Sequence, residues 1–87
     1  MVTDQEFQQA VSQSQQLSKR PSNEELLKLY ALYKQATEGD VKGERPGGFD
    51  FKAMAKYGAW EEQKGKSAEQ AKQEYVALVS GLQQRLG

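Results

Sequence analysis

Leu26 to Lys34 reads LLKLYALYK, and it carries more apolar and aromatic surface than a helix needs merely to attach itself to a small core. At about 100° per residue, Leu29, Leu32 and Ala36 cluster on one side, the stripe expected to face neighbouring helices. A second strip lies beside the first. Leu26, Leu27, Tyr30, Tyr33 and Lys34 all fall within about 60° either side of Tyr30, so two leucines, two phenols and an ammonium share it. Two readings are open. In one, the helix is buried all round, with the tyrosines in the core and Lys34 snorkelling out, since lysine is almost never fully buried. In the other, the second strip is one wall of a half-open groove.

Working outward, three helix starts carry capping boxes that pair a hydroxyl with an acid or amide three residues on: Thr3 with Glu6, Ser22 with Glu25, and Ser67 with Gln70. The first predicted helix runs roughly from Thr3 to Leu17 and presents Phe7, Ala10, Val11, Ser14 and Leu17 on one face. The second, holding LLKLYALYK, runs from about Asn23 to Glu38 and closes at Gly39, a residue suited to the left-handed conformation. The last runs from about Ala68 to Leu86 and aligns Ala71, Tyr75, Leu78, Val79, Leu82 and Leu86 despite the weakening effect of Gly81. Tyr75 on this stripe reads as a core tyrosine.

Between Gly39 and Asp50 lies GDVKGERPGGFD, whose glycines, Pro46 and charges rule out regular structure for much of its length. A loop this long in a small domain suggests a function. It leads into a third helix, from about Phe51 to Lys64, closed by Gly65. Lys52 and Lys56 stand one turn apart on a common face, with Trp60 a further turn along. Ala55 and Ala59 are the inward candidates, and Trp60 reads as core. No strand pattern or repeat competes with an all-α reading.

The 87 residues predict one domain, residues 1–87, able to bury only about 60% of the surface its unfolded chain exposes. Twelve basic and twelve acidic side chains give zero net charge, so nothing in the whole molecule attracts nucleic acid or an anionic bilayer. Charge-based recognition must be local. Cysteine and histidine are absent, which excludes disulfides, thiolate chemistry and the usual zinc ligand sets and fits a reducing compartment. The polar start MVTDQEF holds no apolar run long enough for a signal sequence or membrane span. A soluble, intracellular, cytoplasmic protein is expected, most simply a monomer, with no stable membrane insertion.

Catalysis finds little support without imidazole or thiol, because the acids sit mainly in first turns or beside lysines, where capping and solvation account for them. Glu38 and Asp40 are an ordinary loop pair, and the loop lacks the ligand alternation of a calcium site. No metal and no cofactor are expected. Recognition of phosphate and an aromatic ring fits better. Lysines supply charge to phosphate, a tyrosine hydroxyl donates to a phosphate oxygen, and a phenol face stacks on a nucleobase. Tyr30, Tyr33 and Lys34 offer all three from one helix face. Lys52 and Lys56 would add cations if the third helix came alongside, while Leu26 and Leu27 extend the strip with apolar surface. The implied ligand is amphiphilic, with phosphate and a flat ring at one end and a hydrophobic chain at the other.

The order of residues, YALYKQATEGDV at 30–41, then ERPGGFDFKAMAKYGAW at 44–60, then Tyr75, resembles the acyl-CoA-binding protein family over nearly the whole chain. The resemblance implies a four-helix bundle, up-down-down-up with a long loop between helices 2 and 3, that binds, sequesters and transports medium- to long-chain fatty acyl-CoA esters. It further implies that Tyr30, Lys34 and Lys56 hold the ribose 3′-phosphate of coenzyme A, that Tyr33 stacks near the adenine, and that Lys52 and Tyr75 complete the head-group site. Leu26 and Leu27 would touch the acyl chain. Three positions depart from the family pattern. Gln15 stands where a lysine often helps with phosphate, which leaves it a weak candidate. Tyr57 replaces a common tryptophan, and Gly58 should loosen the third helix by up to about 1 kcal/mol relative to alanine. Two rivals remain: a helical protein-interaction module whose groove accepts an amphipathic peptide, and a nucleotide or nucleic-acid binder, which the zero net charge disfavours.

Overall fold

The computed structural model describes residues 2–87; Met1 of the expected domain lies outside them. Four helices form, α1 (Asp4–Ser14), α2 (Asn23–Glu38), α3 (Phe51–Glu61) and α4 (Ala68–Leu86), and no strand occurs among the described residues. The first two begin at complete capping boxes. Thr3 and Ser22 accept from the backbone of Glu6 and Glu25, whose carboxylates accept from the cap backbone in return. At α4 only half the expected box forms. The Ser67 hydroxyl accepts from Gln70 N, but the Gln70 amide turns along the helix to Glu74, where it donates to a charged acceptor.

Helix ends depart from expectation at three places. α1 stops at Ser14 instead of reaching Leu17. The Ser14 hydroxyl donates back to the Val11 carbonyl at 2.7 Å, the local competition by which serine weakens helices, and Gln15 and Gln16 close tight turns. Leu17 still packs against the core, from beyond the helix. α3 ends at Glu61, three residues early, in successive tight turns up to Gly65, whose φ is +89°. Gly39 has φ 81° but ψ −152°, a region open essentially only to glycine, not the left-handed helical one expected.

α2 packs against both α3 and α4, and α1 packs against α4. Directions follow from which ends meet. Lys72 near the start of α4 pairs with Asp4 at the start of α1, and Lys19 N, beyond α1, donates to the Leu86 carbonyl, so α1 and α4 run the same way. Glu25 at the start of α2 pairs with Arg85 at the end of α4, making these antiparallel. Trp60 near the end of α3 donates from Nε1 to the Gly39 carbonyl at 2.8 Å, so α2 and α3 run together. The order is up-down-down-up.

The core joins Phe7 and Ala10 of α1, Leu29, Leu32 and Ala36 of α2, and Ala71, Tyr75, Val79 and Leu82 of α4. Each predicted stripe supplies it. On α2 the buried arc also takes in Ala31 and Gln35, on the flank turned toward α3. Gln35 is the one buried polar residue among those described. Its amide donates to the Asp40 carboxylate and to the Lys66 carbonyl, both at 2.8 Å, and Asp40 also accepts from Gly65 N at 2.8 Å. This knot ties the C-terminal ends of α2 and α3 to the start of α4 and offsets part of the cost of burying the amide, whose Oε1 accepts no hydrogen bond from the described residues.

α3 contributes only Trp60 to the buried set, and Ala55, expected inward, is exposed. The 39–50 loop folds back on α3. Tyr57 donates to the Gly43 carbonyl at 3.3 Å, and Arg45 pairs with Glu61 at 3.1 Å while lying 5.6 Å from the Tyr57 ring centroid. Asp50 caps α3 by accepting from Ala53 N at 3.0 Å.

Candidate functional site

Because α2 and α3 run side by side in the same direction, the second strip of α2 meets the lysine face of α3 turn by turn. The Lys56 ammonium lies 5.2 Å from the Tyr30 ring centroid, and one turn further along both helices Lys34 lies 5.6 Å from the Trp60 ring. Cations over aromatic faces at this range attract one another. Leu26, Leu27, Tyr30 and Lys34 are half-buried, and Tyr33 is 37% exposed. The strip is therefore the wall of an open groove, and the fully buried helix is excluded.

A cavity of about 340 Å³ occupies the start of this groove. Leu26, Leu27 and Ala55 give it apolar wall, and Tyr30, Lys52 and Lys56 give it polar wall. Five sequence-predicted residues thus meet around one space. Arg20 and Asn23, bonded to each other at 3.0 Å, complete it. No acidic residue lines this cavity among the described residues. A second, larger cavity of about 650 Å³ continues between α2 and α3 across Leu27 and Ala55, which line both. Its rim holds Glu24, Glu61 and Glu62, so the two cavities differ in sign of charge.

The remaining predicted residues stand apart from the smaller cavity. The Lys34 ammonium is paired with Glu38 at 2.5 Å, which holds its pKa above the ordinary lysine value, and it lies 5.9 Å from the Tyr30 ring centroid. Tyr33 stacks on Phe7 with ring centroids 5.9 Å apart. Tyr75 meets Phe7 edge-on at 5.2 Å and is 4% exposed, as the stripe of α4 alone implied. Its hydroxyl lies 3.2 Å from the Ser14 hydroxyl, and burial pushes its pKa up. Phe7, Tyr33 and Tyr75 so form an aromatic cluster one turn of α2 away from Tyr30. Gln15 sits exposed at the C-cap of α1, next to Ser14.

Sequence reasoning passed over Arg20. The only signal was its place two residues before the Ser22 cap, where the buried Pro21 fixes the chain's approach to α2. The charge gradient also differs from the sequence reading. Arg20 and Lys52 bring cations to the leucine end of the strip, which was expected to be apolar. No group of three or more acidic side chains among the described residues is placed to hold a metal ion, and no helix is long and apolar enough to cross a membrane.

Comparison with known proteins agrees with this architecture. The profile of the family described as Acyl CoA binding protein matches residues 4–79. An acyl-CoA-binding protein homolog of Drosophila melanogaster is 51% identical over 82 residues, 94% of this chain and 94% of that protein. An enoyl-CoA delta isomerase 2 of Rattus norvegicus is 50% identical over 81 residues, covering 93% of this chain but 21% of that protein. The crystal structure of Oryza sativa Acyl-CoA-Binding Protein 2 superposes with a TM-score of 0.89 at 41% identity, covering 93% of this chain and 90% of that one.

Proposed function

The chain belongs to the acyl-CoA-binding protein family, and from that premise we propose that it binds medium- to long-chain fatty acyl-CoA esters noncovalently and carries them through the cytoplasm unchanged. The observation that carries this reading is the smaller cavity, where Leu26, Leu27 and Ala55 face Tyr30, Arg20, Lys52 and Lys56 with no carboxylate among the lining residues. Such a wall suits an anionic amphiphile. Each methylene withdrawn from water contributes at most about 0.8 kcal/mol, so longer chains bind tighter until the groove ends. Each charge-assisted hydrogen bond to phosphate contributes roughly 1.5 to 3 kcal/mol where water is partly excluded. The head group selects and the tail strengthens.

In this reading Tyr30 and Lys56 hold the 3′-phosphate, Lys52 and Arg20 add positive charge, and Lys34 joins when Glu38 yields it. That exchange costs little, because an exposed ion pair is worth about 0 to 1 kcal/mol. Tyr33, at the exposed edge of the aromatic cluster, offers a face to the adenine. Tyr75 acts from beneath, by holding Tyr33 and Phe7 in place. The ligand is cargo and the protein is no enzyme. The rat isomerase matches over a fifth of its length, and the rest of that protein is free to hold its chemistry.

Calorimetric titration with palmitoyl-CoA, free coenzyme A and palmitate tests the proposal. Palmitoyl-CoA should bind far more tightly than either fragment. Equal affinity for palmitoyl-CoA and coenzyme A would overturn it, and a peptide-binding groove would respond to none of the three.

A further inference from the structure

Leu27 and Ala55 are common to both cavities, so an apolar path leads from the cations of the smaller one, Arg20, Lys52 and Lys56, into the larger. There the floor stays apolar. Ala31 is fully buried and Met54 and Ala59 are half-buried, and the unbranched thioether of Met54 adapts to irregular apolar shapes. At the rim the charge is reversed. Glu24, Glu61 and Glu62 stand against a single cation, Lys28, among the lining residues. Glu61 is answered by Arg45 at 3.1 Å, whereas Glu24 and Glu62 take part in no ion pair among the described residues. Glu24 belongs to the first turn of α2 and Glu62 closes α3. Because these helices run the same way, the larger cavity carries a carboxylate toward each end.

We propose that Glu24 and Glu62 read the far end of the acyl chain: a long chain that ends in a methyl group or a cation is accepted, and one that ends in a carboxylate is rejected. The inference rests on the function proposed above and adds a specificity to it. A carboxylate carried past Leu27 would leave Arg20 and Lys52 behind and meet like charges over an apolar floor, where it is both repelled and poorly hydrated. A cationic end meets opposite charges instead. Both glutamates are exposed, so water screens them and each such charge contact is worth up to about fivefold in affinity.

The test is calorimetric titration at low salt with palmitoyl-CoA and with sixteen-carbon acyl-CoAs ending in a hydroxyl, a carboxylate or a trimethylammonium group. The trimethylammonium ester should bind about fivefold or more tightly than the carboxylate ester, and added salt should narrow that gap. Polarity alone would penalise both charged ends alike relative to the hydroxyl. In the double variant Glu24→Gln/Glu62→Gln the gap should close, a comparison between ligands that a general loss of fold would not produce, since that weakens every ligand together. Eight-carbon analogues, whose ends stay among Arg20, Lys52 and Lys56, should lose the order or reverse it. A gap of the same size in the double variant overturns the inference, as does the same order among the eight-carbon chains. Palmitoyl-CoA that fails to bind the parent removes the proposed function and this inference with it, whereas tight palmitoyl-CoA binding with equal affinities for the two charged ends removes the inference alone.

Discussion

The Lys56 ammonium stands 5.2 Å from the centroid of the Tyr30 ring although the two residues come from different helices, 26 positions apart in the chain. This contact exists only because α2 and α3 run parallel, and it sets a phenol and a cation on the same cavity wall. Lys56→Ala should weaken palmitoyl-CoA binding by roughly tenfold or more, the loss of one charge-assisted bond, and Tyr30→Phe by somewhat less. Both residues are half-buried on an open wall, so helicity and unfolding midpoint should hardly move. Variants that bind like the parent but unfold at lower temperature would make the pair a structural contact and move the site elsewhere.

Glu38 competes for the Lys34 ammonium. If phosphate must displace it, Glu38→Gln should tighten palmitoyl-CoA binding by up to about fivefold at low salt, the worth of an exposed ion pair, and the gain should fade as salt rises. Lys34→Ala should weaken binding over the same range. Calorimetry at two ionic strengths separates the cases. An unchanged affinity in Glu38→Gln, with weakened binding in Lys34→Ala, would show that Lys34 reaches phosphate without leaving its partner.

Most of this wall could be read from period alone. Leu26, Leu27 and Tyr30 share a strip at helical spacing, as do Lys52 and Lys56, and both strips meet in the structure. What period could not supply was the crossing of helices. Ala31 faces the α3 side, and Gln35 is held by Asp40 and Lys66, so their burial depends on a partner helix whose own apolar pattern is weak and on loop residues with no period. Ala55 failed for the complementary reason: small and apolar suits a core, and equally suits a cavity wall. Tyr33 and Tyr75 carry chemistry that suits the site but are held by Phe7, and only tertiary packing places them one turn from Tyr30. Arg20 lies outside any helix, where periodicity has nothing to say. The capping boxes fixed helix starts well because each is closed within four residues, whereas the ends of α1 and α3 depend on a serine back-bond and a loop carboxylate.

That loop carboxylate gives a pH signature. Asp40 has its pKa held below the ordinary aspartate value, first by the Gly65 N–H and then by the Gln35 amide. A group with a depressed folded pKa contributes stability above its unfolded value and loses it as pH falls through the folded one. The urea midpoint should therefore hold steady from roughly pH 7 down to pH 5 and fall below about pH 4. Asp4, Glu6, Glu25 and Glu74 are depressed too and share in the fall. Asp40→Asn keeps an acceptor oxygen but cannot titrate, so its fall should be shallower than the parent's. Identical acid limbs would remove Asp40 from the account.

Gly58 lies in the interior of α3, where backbone freedom is a cost and a missing Cβ contributes nothing. A Cβ built there meets nothing within 4 Å outside its own helical turn, and the backbone φ is ordinary, so alanine fits without strain. Gly58→Ala should stabilise the protein by up to about 1 kcal/mol. For a chain of this size that is roughly 4 to 8 °C in Tm, readable by thermal denaturation followed by circular dichroism. Gly58 is among the residues lining the larger cavity and not among those lining the smaller one. Head-group affinity, measured with free coenzyme A, should therefore be unchanged. A lower Tm would show that α3 needs freedom at this position to bend over α2, and the glycine would then be part of how the groove is shaped.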